Sequence, residues 1–332
     1  MKAPGTGPIP DYLDDSYETL ADKAQDILRN DPAIAPHYFE QGFTFISNGQ
    51  AGDFDKLTTD MLNNIKSKHS EDKYIELNNP EEVFQSLHGK GAKLVPESML
   101  GHERQWVQGY ISRRCATVNA EAIIKIYYDR CRARQNIEFI LGTPVDVLIY
   151  GKHQDEVLGV TLEDGREIFA EKTIICTGAW SKDEKYRHVS CHTNLVTGLK
   201  IFQPLNGWLK ILRRGAGLQN TTALKDPEDP KKTYKASYPH TVVDDPDPWI
   251  PLTFEASLRE ELREIFPAMA NRRFDMARFC WLEQTTTGDF LISPHPKFKN
   301  LQMAIGGSFH GWKFLPLLVE FVIDSINMDL AP

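Results

Sequence analysis

Residues 301–316 read LQMAIGGSFHGWKFLP and lead into LLVEFVIDSI at 317–326. No other stretch limits the fold so strongly. An apolar strand, a turn that crowds Gly306, Gly307 and Gly311 together, and a long apolar helix must share one buried sheet surface. Pro316 falls in the first turn of that helix, where its missing N–H goes unfelt. A glycine-rich loop at a helix N-terminus offers backbone N–H donors and the positive end of the dipole. Such a place suits an anionic or electron-rich group. The spacing is neither Walker A nor Gly-x-Gly-x-x-Gly. A structural loop whose Lys313 points to water fits the same residues, and spacing alone leaves both readings open.

A second apolar strand, TIIC at 173–176, stops at Thr177, Gly178 and Ala179. Small residues at the end of a buried strand let a backbone or a flat ligand approach closely; a plain tight turn is the alternative. Before it lies a β-meander, with IEFILGTPV read as one strand and turns at Gly151, at Asp164-Gly165 and near Glu171. SYETLADKAQDILRND has helical spacing behind Ser16 as the cap. HYFEQGFTFISNG is strand-like up to the Asn48-Gly49 turn. Residues 50–95 are polar and helix-like, with NNPEEVFQSL as a capped short helix. QGYISRR opens as a strand and passes into a helix, capped near Asn119, that buries Ile123, Ile124, Ile126 and Tyr127. IFQPLNGWLKILRR gives two strands around Asn206-Gly207. TFEASLREELREIFPAM is a helix, and DMARFCWLE and DFLISPHP read as strands. DPEDPKK and VDDPDPW are proline-broken, solvated loops.

A length of 332 residues allows one large or two ordinary domains. The net charge of −8 argues against general nucleic-acid binding and against an anionic membrane surface. The five cysteines, Cys115, Cys131, Cys176, Cys191 and Cys280, show neither CxxC nor metal-ligand spacing. They read as free thiols with no metal site. MKAPGTGPIPDYLDD has no apolar h-region, and no run of about eighteen apolar residues occurs. The expectation is a cytoplasmic protein with no membrane span.

ARFCWLEQTTTGDFLISPHPKFKNLQMAIGGSFHGWKFLP resembles the C-terminal signature of the FAD-dependent amine oxidases. That group contains sarcosine oxidase, fructosyl amino acid oxidase (amadoriase) and the fungal pipecolate and saccharopine oxidases. The matching elements are Cys280 followed by an aromatic, then an acidic residue, "FLI", "HP" and the ending "GxSxxGxKFLP", with 33 residues from Cys280 to Lys313. KTIICTGAWS resembles the strand and turn beside the FAD in these enzymes. ILRNDPAIAPHYFEQGFTF resembles an amadoriase region. The resemblance covers most of the chain and is weakest at 183–200 and 221–250.

The resemblance implies roles residue by residue. Cys280 would link its sulfur to the flavin, which makes the FAD covalent. Gly306, Gly307, Ser308 and Gly311 would lie against the flavin pyrimidine edge, and Thr177, Gly178 and Ala179 beside the FAD. Lys313 would bind the substrate carboxylate, and Lys210 would activate oxygen. His310 reads as a loop residue bonded to backbone. The implied activity is oxidation of the C–N bond of a small secondary amine or an N-substituted or cyclic amino acid. Oxygen is the acceptor, giving hydrogen peroxide. The family also allows a peroxisomal location.

The implied fold is mixed α/β, with an incomplete Rossmann-like FAD lobe interleaved with an antiparallel-sheet substrate lobe. Residues 1–34 would form an N-terminal helical segment, 35–115 and 183–284 the substrate lobe, and 116–182 with 285–332 the partial FAD lobe. On this arrangement TIIC and LQMAI share one sheet. These residues contain no strand leading into a Gly-x-Gly-x-x-Gly turn, the part that holds the FAD pyrophosphate in such folds. A polypeptide of residues 1–332 is therefore expected to hold FAD weakly. A truncated, FAD-poor inactive homologue and a non-enzymatic binding scaffold are the alternatives.

Overall fold

The computed structural model describes residues 9–48, 53–100, 103–104, 106–177, 199–205, 208–213, 221–225, 231–237, 239, 250–277 and 281–329. In chain order the first elements are α1 (Asp15–Asn30), β1 (Tyr38–Phe39), β2 (Phe43–Ser47), α2 (Asp53–Lys68), β3 (Tyr74–Leu77), α3 (Pro80–His88), β4 (Gln108–Ser112), β5 (Thr117–Val118) and α4 (Ala120–Arg132). Then come β6 (Val145–Tyr150), β7 (Val157–Leu162), β8 (Glu167–Phe169), β9 (Thr173–Ile175), β10 (Leu199–Leu205), β11 (Trp208–Arg213), β12 (Thr221–Lys225) and β13 (Thr233–Ser237). The chain closes with α5 (Leu252–Ile265), β14 (Leu291–Pro294), β15 (Leu301–Ile305) and α6 (Leu315–Asp329). It is a mixed α/β fold in which most strands pair antiparallel. Two compact units can be separated. The first is Met1–Ile126, His192–Gly217 and Val242–Phe279; the second is Tyr127–Cys191, Leu218–Thr241 and Cys280–Pro332.

In the first unit β4 runs between β2 and β3, antiparallel to both. The apolar residues of this region meet in a core of Leu77, Val83, Phe84, Trp106 and Ile265. Helix α3 starts where the sequence says it should. Asn79 accepts from the Glu82 N–H at 2.9 Å, and Glu82 reaches back to accept from the Asn78 N–H at 2.8 Å. His88, at the other end of α3, donates to the Ile265 carbonyl at 2.6 Å and stacks on Phe84.

Charge ties α1 to the rest of this unit. Arg114, between β4 and β5, bonds Asp11 (3.0 Å), Glu18 (2.7 Å) and both carboxylate oxygens of Asp22 (2.9 Å). Lys68 and His69 meet the same Glu18 at 2.7 and 3.1 Å. Burial works to raise the Glu18 carboxyl, but hydrogen bonds from Lys68, His69 and Arg114 outweigh it and hold the group at about 2. Asp11 is the opposite case: burial raises it, and bonds from Ser112, Arg114 and Cys115 only partly oppose that.

The second unit holds the meander β6–β7–β8, the hairpin β12–β13 and a three-stranded sheet ordered β14-β15-β9. In that sheet β14 is antiparallel to β15, and β9 is parallel to β15 with Leu301 level with Thr173 and Met303 level with Ile175. TIIC and LQMAI thus share a sheet, as the resemblance implies. Helix α6 packs on β14 and β15. Leu317 is buried there, and Ser325 donates to the Gln302 side chain at 3.1 Å. Val319 and Ile323, on the opposite side of α6, are exposed, as are Phe321 of α6 and Ile174 of β9.

Several local expectations fail for physical reasons. IEFIL is not a strand: residues 137–144 carry no ladder, and Ile137, Phe139, Ile140 and Leu141 stay exposed. Their composition favours β-structure, but they pair with no described strand, and composition alone does not make one. DMARFCWLE likewise shows no strand in its described residues, 275–277 and 281–283. Helix α1 is capped by Asp14, which accepts from Ser16 and Tyr17; Ser16 itself lies inside the first turn. Ile124 is exposed because only Ile123 of its pair faces inward on α4. Strand β3 and the hairpin β12–β13 were not apparent in the sequence.

Candidate functional site

Because β9 and β15 are parallel and in register, the chain leaves both at the same end of their sheet. Thr177 follows one, Gly306 the other. Ligands of open α/β sheets gather at such carboxyl ends. Gly178 and Ala179 lie outside the described residues, as does Cys280. Lys210 is on β11 in the other unit, half-buried and level with Phe202 of β10.

The glycine loop is held by the segment before β14. Glu283 accepts the Gly306 N–H on its carboxylate at 2.8 Å and the Ser308 N–H on its backbone carbonyl at 2.9 Å. Ser308 Oγ accepts from the Thr285 N–H at 3.2 Å and donates to the Asp289 carbonyl at 3.4 Å. His310 Nε2 donates to the Gly288 carbonyl at 2.8 Å, and its ring stacks on Phe290. These bonds hold an unusual backbone. Gly306, Ser308 and Phe309 have φ of 76°, 44° and 64°, left-handed values that ordinary residues avoid. Sequence spacing identified the loop but not Glu283, Thr285 or Asp289, whose partners lie 19 to 23 residues away along the chain.

The three glycines have different causes. A Cβ on Gly306 would lie 2.6 Å from the Thr285 methyl, so with its positive φ this glycine is required by the fold itself. Gly307 is exposed and outside the left-handed range, and a Cβ there would meet nothing within 4 Å. Gly311 would make only an ordinary contact with Phe290 at 3.7 Å. Among the described residues, nothing crowds a side chain at 307 or 311.

Beyond the loop, residues Gly311–Phe314 form a 3-10 turn that feeds α6. Lys313 is buried in it, 9% exposed, with its ammonium 5.6 Å from the Phe314 ring centroid. The first turn of α6 has no acidic residue. Helices α1, α3, α4 and α5 each carry acids there, which already offset their dipoles. The first turn of α6 therefore carries no acid of its own, and Lys313 precedes it. Two polar atoms beside the loop, Gln284 Oε1 and Trp312 Nε1, are buried with no hydrogen-bond partner. A shallow cleft of about 380 Å³ lined by Tyr128, Arg132, Ile137, Glu138, Phe139 and Leu141 shares no residue with the loop. Among the described residues no cluster of His, Cys, Asp or Glu could hold a metal, and no helix is long and apolar enough to cross a membrane.

Relatives carry the same architecture. The chain is 23% identical to the L-saccharopine oxidase of Schizosaccharomyces pombe, over 97% of its own length and 79% of that enzyme's. It is 22% identical to the amino acid oxidase imqH of Aspergillus flavus, over 97% and 81%. A thermally stable mutant of fructosyl peptide oxidase superposes with a TM-score of 0.80 at 19% identity, covering 99% of this chain and 80% of the other. The Aspergillus fumigatus fructosamine oxidase (Amadoriase II) gives 0.74 at 23%, covering 99% and 77%. The sequence profile of the FAD dependent oxidoreductases matches residues 20–324. The chain belongs to the FAD dependent oxidoreductase family.

Proposed function

We propose that the protein oxidises the C–N bond of an amino acid bearing a secondary amine, open-chain or cyclic, with FAD as its redox group and oxygen as final acceptor. The observation that carries this reading is the buried Lys313 at the acid-free start of α6, beside two glycines, Gly307 and Gly311, that no described residue crowds. The names of the relatives, a saccharopine oxidase and amino acid oxidases, support the substrate class.

The residues fit the ring of the cofactor. Open space over Gly307 suits a flat group, and the orphaned Trp312 N–H and Gln284 carbonyl match an edge that carries both acceptors and a donor. Gly306, Gly307, Ser308 and Gly311 would hold that edge, with Thr177, Gly178 and Ala179 alongside and Cys280 as the covalent attachment. When bound, FAD supplies the two-electron acceptor. The α6 dipole favours negative charge at the loop. Lys313 holds the substrate carboxylate, which orients the amine. Lys210 provides positive charge where oxygen is reduced. The amine loses two electrons and two protons, the resulting imine is hydrolysed by water, and oxygen leaves as hydrogen peroxide. The lobes would be 116–182 with 285–332 for FAD, and 35–115 with 183–284 for substrate, behind the helical segment 1–34.

The test is peroxide production from a panel of secondary amino acids with added FAD. Lys313→Met removes a charge-assisted hydrogen bond, contributing about 1.5–3 kcal/mol, so KM for carboxylate substrates should rise about ten- to a hundredfold. An unchanged KM removes Lys313 from the site. Acid precipitation of flavin-loaded protein should leave colour in the pellet for wild type and release it for Cys280→Ser. Colour retained by both contradicts attachment at Cys280.

A further inference from the structure

Arg104, in the first unit, is a buried cation with too few acceptors around it. The residue is 5% exposed, and Trp106, two positions on, is 3% exposed. Among the described residues its guanidinium donates to the Val95 carbonyl, and its Cζ lies 4.7 Å from the centroid of the Trp106 ring. Arg104 Nη1 and Trp106 Nε1 are both buried with no hydrogen-bond partner. Arg114, the other buried arginine described above, meets the carboxylates of Asp11, Glu18 and Asp22. Arg104 pairs with no described carboxylate. Trp106 also belongs to the core with Leu77, Val83, Phe84 and Ile265, so apolar side chains adjoin the two bare donors.

Neither bare group can turn into an acceptor. A guanidinium is a permanent cation, and an indole N–H only donates. A charge buried without a counter-charge costs stability, and a neutral carbonyl does not cancel it. What the place lacks is an acceptor with one negative charge. A carboxylate fits: its charge balances a single guanidinium, and its planar pair of oxygens suits donors on two neighbouring side chains. A phosphate dianion would bring twice the charge of Arg104. We propose that Arg104 and Trp106 bind the carboxylate of a small monocarboxylic acid, whose short carbon chain lies among the apolar neighbours of Trp106. Both donors are closed to solvent in the free protein, so part of the binding energy goes into opening the place. The apparent dissociation constant is therefore on the order of millimolar. The site uses none of the residues assigned above and is read without flavin, so its failure leaves the oxidase reading untouched.

The experiment titrates the full chain, without flavin, with sodium propionate to about 100 mM, chloride keeping the ionic strength constant. Two signals are followed: the indole N–H resonances of isotope-labelled protein, and Tm. In wild type one indole resonance, the one missing from Trp106→Phe, should shift and saturate, and Tm should rise by about 2 °C or more. Arg104→Met should lose both responses. Without ligand its Tm should equal or exceed that of wild type, because the uncompensated charge is gone. Inorganic phosphate at the same concentration should move the Trp106 resonance less than propionate does. An unmoved Trp106 resonance, an equal response to chloride or a larger one to phosphate overturns the proposal. So does an Arg104→Met protein that responds like wild type or melts below it.

Discussion

Replacing Arg114 with methionine should lower the unfolding free energy by about 3–5 kcal/mol, the usual consequence of removing one partner from a buried ion network. The side chain is 7% exposed, and its partners Asp11 and Glu18 are 1% and 6% exposed. Methionine keeps the volume and removes the charge. Asp11 is then left in a site that already raises its carboxyl, without the guanidinium that opposes the rise. Glu18 keeps Lys68 and His69 but loses its third partner. The pH dependence separates charge from packing. Glu18 is held below its ordinary value, so its contribution is present above pH 4.5 and is lost as pH falls toward 2. The gap between wild type and Arg114→Met in urea unfolding should therefore be widest near neutrality and narrow below pH 4.5. A difference under about 1 kcal/mol at pH 7 would mean that the network contributes like a surface pair.

Much of the fold was legible because it is written locally. Apolar runs broken by Gly151, Gly165 and Asn79-Pro80 mark the meander and the start of α3 without reference to the rest of the chain. The parallel pairing of β9 with β15 is a long-range contact, and it came from the resemblance rather than from periodicity. Local signals misled where a partner decides the outcome. IEFIL has strand composition, but a strand is made by its neighbour. The ion network could not be read at all, since nothing in spacing tells Arg114 that Glu18 and Asp22 will be its partners. At the candidate site the glycines and Lys313 stood out. Their meaning did not, because Gly306 answers to Thr285 and Gly307 to none of the described residues.

That difference between adjacent glycines is what the account stands on. If Gly307 is glycine because a flavin ring lies over it, filling the space should harm binding and spare the fold. Gly307 is exposed with nothing within 4 Å of a Cβ, so Gly307→Leu should leave Tm within about 2 °C of wild type. Absolute affinity for FAD is expected to be weak. No Gly-x-Gly-x-x-Gly turn occurs in these residues to bind the pyrophosphate, and two or three charge-assisted hydrogen bonds at about 1.5–3 kcal/mol each separate weak from tight binding. The titration of residues 1–332 should therefore extend to millimolar FAD, followed by the change in the flavin visible spectrum. Wild type should bind, and Gly307→Leu should bind at least tenfold more weakly at unchanged Tm. Equal affinities for the two proteins would contradict it and return the glycine loop to a structural role.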